Sequence, residues 1–147
     1  MSIAWEFTVI DYTVLVGIVI ILVLALVVGM FARKNRLPSE IDRKFFRERW
    51  RKIQELMGYG KEMNYKLAVI EADKLLDEAL KVMFFTGATM AERLKLASYK
   101  FPRLKKVWWA HKVRNQIVHN VRYDLKHGEA RKVLKLFKDA LSELKVI

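Results

Sequence analysis

A group of polar side chains interrupts an otherwise apolar helical pattern in the segment VRNQIVHN, residues 113–120, which contains Arg114, Asn115 and His119. A histidine can exchange a proton near neutral pH, an arginine stays charged and binds phosphate, and an asparagine can orient either group. These residue types suit cleavage of RNA, because the histidine can move a proton while the arginine holds the scissile phosphate. The neighbouring 2′-hydroxyl would be the nucleophile, so we expect neither a metal ion nor another cofactor.

The spacing of the three residues decides whether a single helix can build such a site. Asn115 and His119 are four residues apart and share a helix face, whereas Arg114 and His119 are five apart, roughly 140° around the axis. One helix alone therefore does not direct Arg114 and His119 at the same atom. Two copies of the helix that meet across a two-fold axis can do so, since such an interface presents the same motif twice. We therefore predict a homodimer.

Neighbouring residues of the same helix are candidates for an auxiliary or RNA-binding role, namely His111, Trp109 and Lys112. An aromatic ring can stack on RNA bases. Adjacent tryptophans cannot both face one core, so we expect one of Trp108 and Trp109 to pack inside and the other to face a dimer partner. The alternative for the whole group is structural, because polar side chains near helix ends commonly satisfy backbone groups.

Helical patterns fill the chain beyond residue 38. We predict a helix from a Ser39 cap to about residue 57, and further helices over residues 62–85, 90–99, 103–122 and from Gly128 onward. Thr89 and Glu92 have the spacing of a capping box. The last helix has an apolar stripe formed by Ala130, Val133, Leu134, Phe137, Leu141 and Leu144. No segment alternates with period two, so this part is predicted to be an all-α bundle.

Residues 14–32 contain nineteen positions without a charge. A helix of that length is just sufficient to cross the roughly 30 Å hydrocarbon core of a membrane. A buried core helix would show a polar face, and a signal peptide would begin with basic residues and have a shorter apolar centre. We therefore predict a retained transmembrane helix that contacts membrane lipids through residues 12–36.

The charges flanking this run predict its orientation. Residues 1–32 contain no Lys or Arg, and all 28 basic residues follow them. The positive-inside rule places the N-terminus outside and the remainder in the cytoplasm, as in a single-pass protein of the cell membrane. The predicted divisions are a tail and transmembrane helix over residues 1–32, a basic juxtamembrane helix over 33–60, and a helical bundle over 61–147.

Composition narrows the classes of function. The 147 residues carry a net charge of +12 and include no cysteine. Disulfides and thiolate metal sites are therefore excluded. The positive charge favours contact with anionic lipid or nucleic acid.

The Arg114-Asn115-x-x-x-His119 motif, late in a helical bundle and before one more amphipathic helix, resembles the HEPN superfamily. The segments KLAVIEADKLLDEALK, GATMAERL and VWWAHKVRNQIVH follow the order of that family, so the resemblance covers about residues 60–147. It implies a metal-independent endoribonuclease that acts as a dimer, of the toxin or defence type, with a possible antidote or partner protein. Other members are non-catalytic modules for dimerisation or for nucleotide, RNA or partner binding, and this alternative stays open.

Overall fold

The computed structural model describes residues 3–34 and 41–147, in which every regular element is a helix and no strand occurs. The chain forms two compact units, Met1–Ser39 and Glu40–Ile147. The all-α prediction is confirmed for these described residues.

The first unit contains a single helix, α1 (Ile3–Lys34). Among the described residues, no helix is long and apolar enough to cross a membrane.

This finding contradicts the predicted transmembrane helix, and with it the single-pass membrane localisation with an outside N-terminus and a cytoplasmic C-terminal domain. The predicted contact of residues 12–36 with lipid depended on that span and stays a prediction.

The second unit contains five α-helices and one 3₁₀ helix. In chain order they are α2 (Arg43–Gly58), α3 (Glu62–Val82), α4 (Met90–Lys100), the 3₁₀ helix (Pro102–Lys106), α5 (Val107–His119) and α6 (His127–Glu143). The central element is α3, which packs against each of the other four α-helices. The second unit is therefore organised around α3.

The core is built from apolar stripes at helical spacing. On α3, Val69, Leu76 and Leu80 are fully buried, and all six residues of the predicted α6 stripe are buried as well. These side chains recur every three or four residues, so each helix presents one continuous apolar face. Burial of such a face stabilises the helix more than its intrinsic propensity does.

Two helix starts show how local sequence sets the boundaries. The Asp42 carboxylate accepts a hydrogen bond of 2.9 Å from the Phe45 N–H at the start of α2. The predicted cap, Ser39, lies outside the described residues. At α4, Thr89 Oγ1 accepts from the Glu92 N–H at 3.2 Å, as predicted, while the Glu92 carboxylate accepts from the Ala88 N–H at 2.7 Å.

The predicted helix over residues 103–122 is divided in the structure. Pro102 begins the 3₁₀ helix, α5 follows, and α5 ends where Asn120 takes an extended conformation. Three apolar residues of the predicted helix are exposed, namely Trp108, Val118 and Val121. Trp108 is exposed because the buried residues of α5, Val107, Ala110 and Val113, lie about 100–160° from it around the helix axis, and Val121 lies beyond the end of α5.

Candidate functional site

Asp73 is the centre of a polar cluster between α3 and α5. Its side chain is only 4% exposed, and its Oδ1 lies 2.7 Å from His111 Nδ1. Its other oxygen, Oδ2, lies 3.3 Å from Arg114 Nε. A buried carboxylate is retained where such partners compensate its charge. Asp73 therefore holds an imidazole and a guanidinium side by side.

The local geometry of α5 explains why both groups reach the same carboxylate. His111 and Arg114 are three residues apart, so they project from neighbouring positions on one helix face. Burial of Ala110 and Val113 fixes the rotation of α5 about its axis. The apolar contacts of α5 thereby direct the two polar side chains at α3.

Arg114 is held in place, but its donors are not saturated within the described residues. Its Nη1 donates a 3.0 Å hydrogen bond to Asn115 Oδ1. Its Nε is buried and close to Asp73, yet the pair lacks the alignment of a hydrogen bond. A guanidinium has five N–H donors in a fixed fork. Arg114, whose side chain is 26% exposed, therefore keeps donors that an external anion can use.

The cluster lines a groove of about 380 Å³. Its walls include Asp73, His111, Arg114 and Asn115, together with residues at the start of α4. Volumes of this order accommodate small ligands or part of a larger one. The groove therefore gives a substrate access to the imidazole and the guanidinium.

A second ion pair, between Asp77 and Arg93, lies beside the first. Arg93 Nε and Nη2 donate to the two Asp77 oxygens at 2.7 and 3.0 Å, and Arg93 Nη1 donates to the Gly87 carbonyl. Burial alone would raise the pKa of Asp77, but hydrogen bonds from Arg93 and Lys81 outweigh it and lower the pKa. The carboxylate of Asp77 in turn raises the pKa of Arg93.

Gly87 has a backbone conformation that this arrangement requires. Its φ is +151°, and a Cβ atom there would lie 2.8 Å from the Glu92 Cβ. A side chain would therefore be strained and would collide with α4, which carries Arg93. The Asp77–Arg93 pair and the turn before α4 form one structural unit.

His119 does not join the Asp73 cluster within a single chain. It is the last residue of α5, is exposed, and makes no hydrogen bond or ion pair within the described residues. The expected angular separation of Arg114 and His119 explains this placement. Of the three predicted catalytic residues, the structure brings together Arg114 and Asn115, and it adds His111 in place of His119.

Of the predicted auxiliary residues, His111 is buried against Asp73, whereas Trp109 and Lys112 lie on the outer surface of α5. Trp109 is 44% exposed and Trp108 is 39% exposed, so neither tryptophan is buried as we expected for one of them. Lys112 is exposed as well. The Trp108 ring meets the His111 ring edge-on, with 6.3 Å between their centroids. Trp108 thus covers one side of the His111 imidazole.

Sequence reasoning missed Asp73, although the sequence contained a signal for it. Asp73 lies four residues after Val69 and three before Leu76, both of which are fully buried. A carboxylate at that position must face the core side of the helix, where it needs a partner. The identity of the partner was not readable, because His111 is 38 residues away along the chain.

No group of side chains suited to holding a metal ion occurs among the described residues. The chemistry available at the site is that of an imidazole, a guanidinium and a carboxylate. Comparisons with protein-family models, with curated proteins and with solved structures find no match to this chain.

Proposed function

We propose that this chain is a metal-independent endoribonuclease of the HEPN type that acts as a dimer. One observation carries the proposal: Asp73 holds the His111 imidazole and the Arg114 guanidinium together on the wall of an accessible groove. A carboxylate-oriented imidazole next to a guanidinium is a combination suited to phosphodiester chemistry.

His111 is the proposed general base. In the tautomer whose Nδ1–H donates a hydrogen bond to Asp73 Oδ1, the second ring nitrogen, Nε2, is a proton acceptor. It would take the proton from the RNA 2′-hydroxyl as that oxygen attacks the adjacent phosphorus. Asp73 stabilises the resulting imidazolium, as a buried carboxylate does in a catalytic triad.

Arg114 is the proposed phosphate ligand. Its remaining donors would bind the non-bridging oxygens of the scissile phosphate, on which negative charge develops during the attack. Asn115, which accepts from Arg114 Nη1, restricts the guanidinium to this orientation. The bond from phosphorus to the 5′-oxygen then breaks and leaves a 2′,3′-cyclic phosphate.

His119 from a second copy is the proposed general acid, which protonates the departing 5′-oxygen. The supporting feature is an outer seam on α5 formed by Trp108, Lys112, Asn115 and His119. These residues follow the four-three-four spacing of a helix–helix contact. In an antiparallel pair, His119 of one copy would lie opposite Trp108 of the other, and Trp108 contacts His111. The acid and the base would then flank one phosphate.

A mixing experiment with the full chain tests this composite site. Arg114→Ala and His119→Ala should each reduce RNA cleavage by about 10²–10⁴ in the presence of EDTA. When the two variants are mixed and allowed to exchange subunits, half the dimers should be mixed, and each mixed dimer has one intact site. Activity should therefore return to about a quarter of the wild-type value.

Gln116→Ala, an exposed polar change on the same helix, is the matched control and should cleave like wild type. If Arg114→Ala and His119→Ala are each inactive and their mixture is inactive as well, the site does not span two copies. If wild type binds RNA without cutting it, the ribonuclease proposal fails.

A non-catalytic module for dimerisation or for binding RNA or a nucleotide is the second candidate. The observation that favours it is the ion pair itself, because Asp73 already compensates the charge of Arg114. In that case Asp73, His111 and Arg114 would serve to attach α5 to α3. Each of their substitutions would then lower stability, and the wild-type chain would not cleave RNA.

A further inference from the structure

A separate groove lies between α2 and α6. Both helices pack against α3, and the space between them has a volume of about 470 Å³. Trp50, Met57 and Leu134 form its apolar surface. This volume is within the range of about 300–1,000 Å³ that is usual for small-molecule sites. The groove shares no lining residue with the Asp73 groove.

Trp50 lines this groove and carries a hydrogen-bond donor that is unused within the described residues. Its side chain is 6% exposed, and its Nε1 atom is buried without an acceptor among the described residues. A buried indole N–H usually has a hydrogen-bond partner. A ligand with an acceptor oxygen would satisfy this donor.

The charge of the groove is entirely positive. Arg131, Lys135 and Lys138 line it at spacings of four and three residues along α6, and no acidic side chain is among its lining residues. Lys135 pairs with Asp139 at 2.7 Å. Arg131 and Lys138 have no ion-pair partner within the described residues. Uncompensated cations beside an apolar surface are complementary to a ligand that is both anionic and apolar.

We propose that the α2–α6 groove binds a small amphipathic anion, a carboxylate or phosphate ester on an apolar body. The apolar body packs on Trp50, Met57 and Leu134, the anionic group pairs with Arg131 and Lys138, and an oxygen of the ligand accepts from Trp50 Nε1. The proposal is independent of RNA cleavage, since none of its residues belongs to the Asp73 site.

The indole N–H of Trp50 allows a direct test in the full chain. The protein has four tryptophans, so a ¹⁵N spectrum of indole-labelled protein has four indole signals, and Trp50→Phe identifies one of them. Decanoate and octyl phosphate are the probes, and inorganic phosphate and a short single-stranded RNA are the comparison ligands. At least one of the two amphiphiles should shift the Trp50 signal downfield until the signal saturates. The amphiphile that binds more tightly shows whether the site prefers a carboxylate or a phosphate ester.

Matched charge variants on α6 distinguish this site from general attraction to a basic protein. Lys138→Gln should weaken amphiphile binding about ten-fold, as judged by the Trp50 signal. Lys132 is an exposed residue of the same helix that does not line the groove, so Lys132→Gln should leave amphiphile binding unchanged. The proposal is overturned if neither amphiphile shifts the Trp50 signal, or if the two variants weaken binding equally. It is also overturned if inorganic phosphate alone or the RNA produces the same shift as the amphiphiles.

Discussion

Asp73 and Asp77 lie about one turn apart on α3, and each carboxylate meets an arginine from another helix. Asp77 receives two hydrogen bonds from Arg93, which also binds the Gly87 carbonyl. Asp73 instead divides its oxygens between His111 at 2.7 Å and the misaligned Arg114 at 3.3 Å. Similar residue types on one helix therefore form two different arrangements.

The two arginines differ in how many of their N–H donors remain free to bind another group. The planar fork of Arg93 matches its carboxylate at two points, which is the stable geometry for a structural ion pair. Arg114 meets Asp73 through one nitrogen, and its fork is not matched to the carboxylate. A pair of the first kind holds helices together, whereas one of the second kind can still bind a substrate. Four predictions test this distinction, from the largest expected effect to the smallest.

The largest effect is expected from paired carboxylate substitutions. Asp73→Asn removes the charge that orients His111 and should lower RNA cleavage by about 10²–10⁴. Asp77→Asn is the matched control, and its cleavage rate per folded molecule should equal that of wild type. The measurement is the cleavage rate of each variant at saturating RNA, corrected for the folded fraction. Equal losses in the two variants would show that the distinction between the carboxylates is not functional.

The next effect concerns stability. Arg93→Ala leaves Asp77 with Lys81 as its remaining partner and also removes the hydrogen bond to the Gly87 carbonyl, so it should lower the free energy of unfolding by about 2 kcal/mol. Arg114→Ala should cost only about 1 kcal/mol, because His111 still binds Asp73. Urea unfolding at neutral pH measures the free energy of unfolding of both variants. A greater loss for Arg114→Ala than for Arg93→Ala would reverse the roles of the two pairs.

Acid pH should remove the contribution of Asp77. Because its folded-state pKa is below the ordinary 3.8, the stabilisation is complete above that value and is lost as the pH falls through the folded pKa. The stability difference between wild type and Asp77→Asn should therefore be constant from pH 7 to 5 and shrink below pH 3.8. Urea unfolding along this pH series is the measurement. A difference that grows on acidification would have the wrong sign for this carboxylate.

The smallest effect is expected at the start of α4. Thr89→Ala removes the side-chain cap and should cost about 1 kcal/mol. The loss should appear as faster amide exchange in the first turn of α4, near Arg93, with α5 unaffected. Thr89→Ser retains the hydroxyl and is the control. If both variants exchange alike, the capping hydroxyl does not hold this turn.

Local sequence patterns predicted much of this fold. The α6 stripe and the Thr89 cap depend on residues close together in the chain, and both have the predicted form. On α5, Trp108 and Val118 are apolar residues at surface positions. Binary patterning cannot distinguish such a surface from a core. The transmembrane prediction is contradicted, because no helix among the described residues meets the length and hydropathy that a membrane span needs.

The candidate site was only partly predictable. Arg114 and Asn115 are adjacent in the sequence and contact each other in the structure. The role of Asp73 depends on the packing of α3 against α5, which no short motif encodes. Within the described part of the chain, the His119 side chain makes no hydrogen bond or ion pair that reveals its role, so its assignment depends on a second copy.

The central position of α3 also constrains the order in which the protein can fold. Its neighbour α2 is adjacent in sequence, so those two helices can pair with a short loop closure, whereas α6 lies some 45 residues beyond α3. During synthesis these helices leave the ribosome in chain order. The apolar face that α3 presents to α6 must therefore remain uncovered while α4 and α5 are made. Until α6 emerges, the nascent chain exposes a surface that chaperones bind and that other unfinished chains can join.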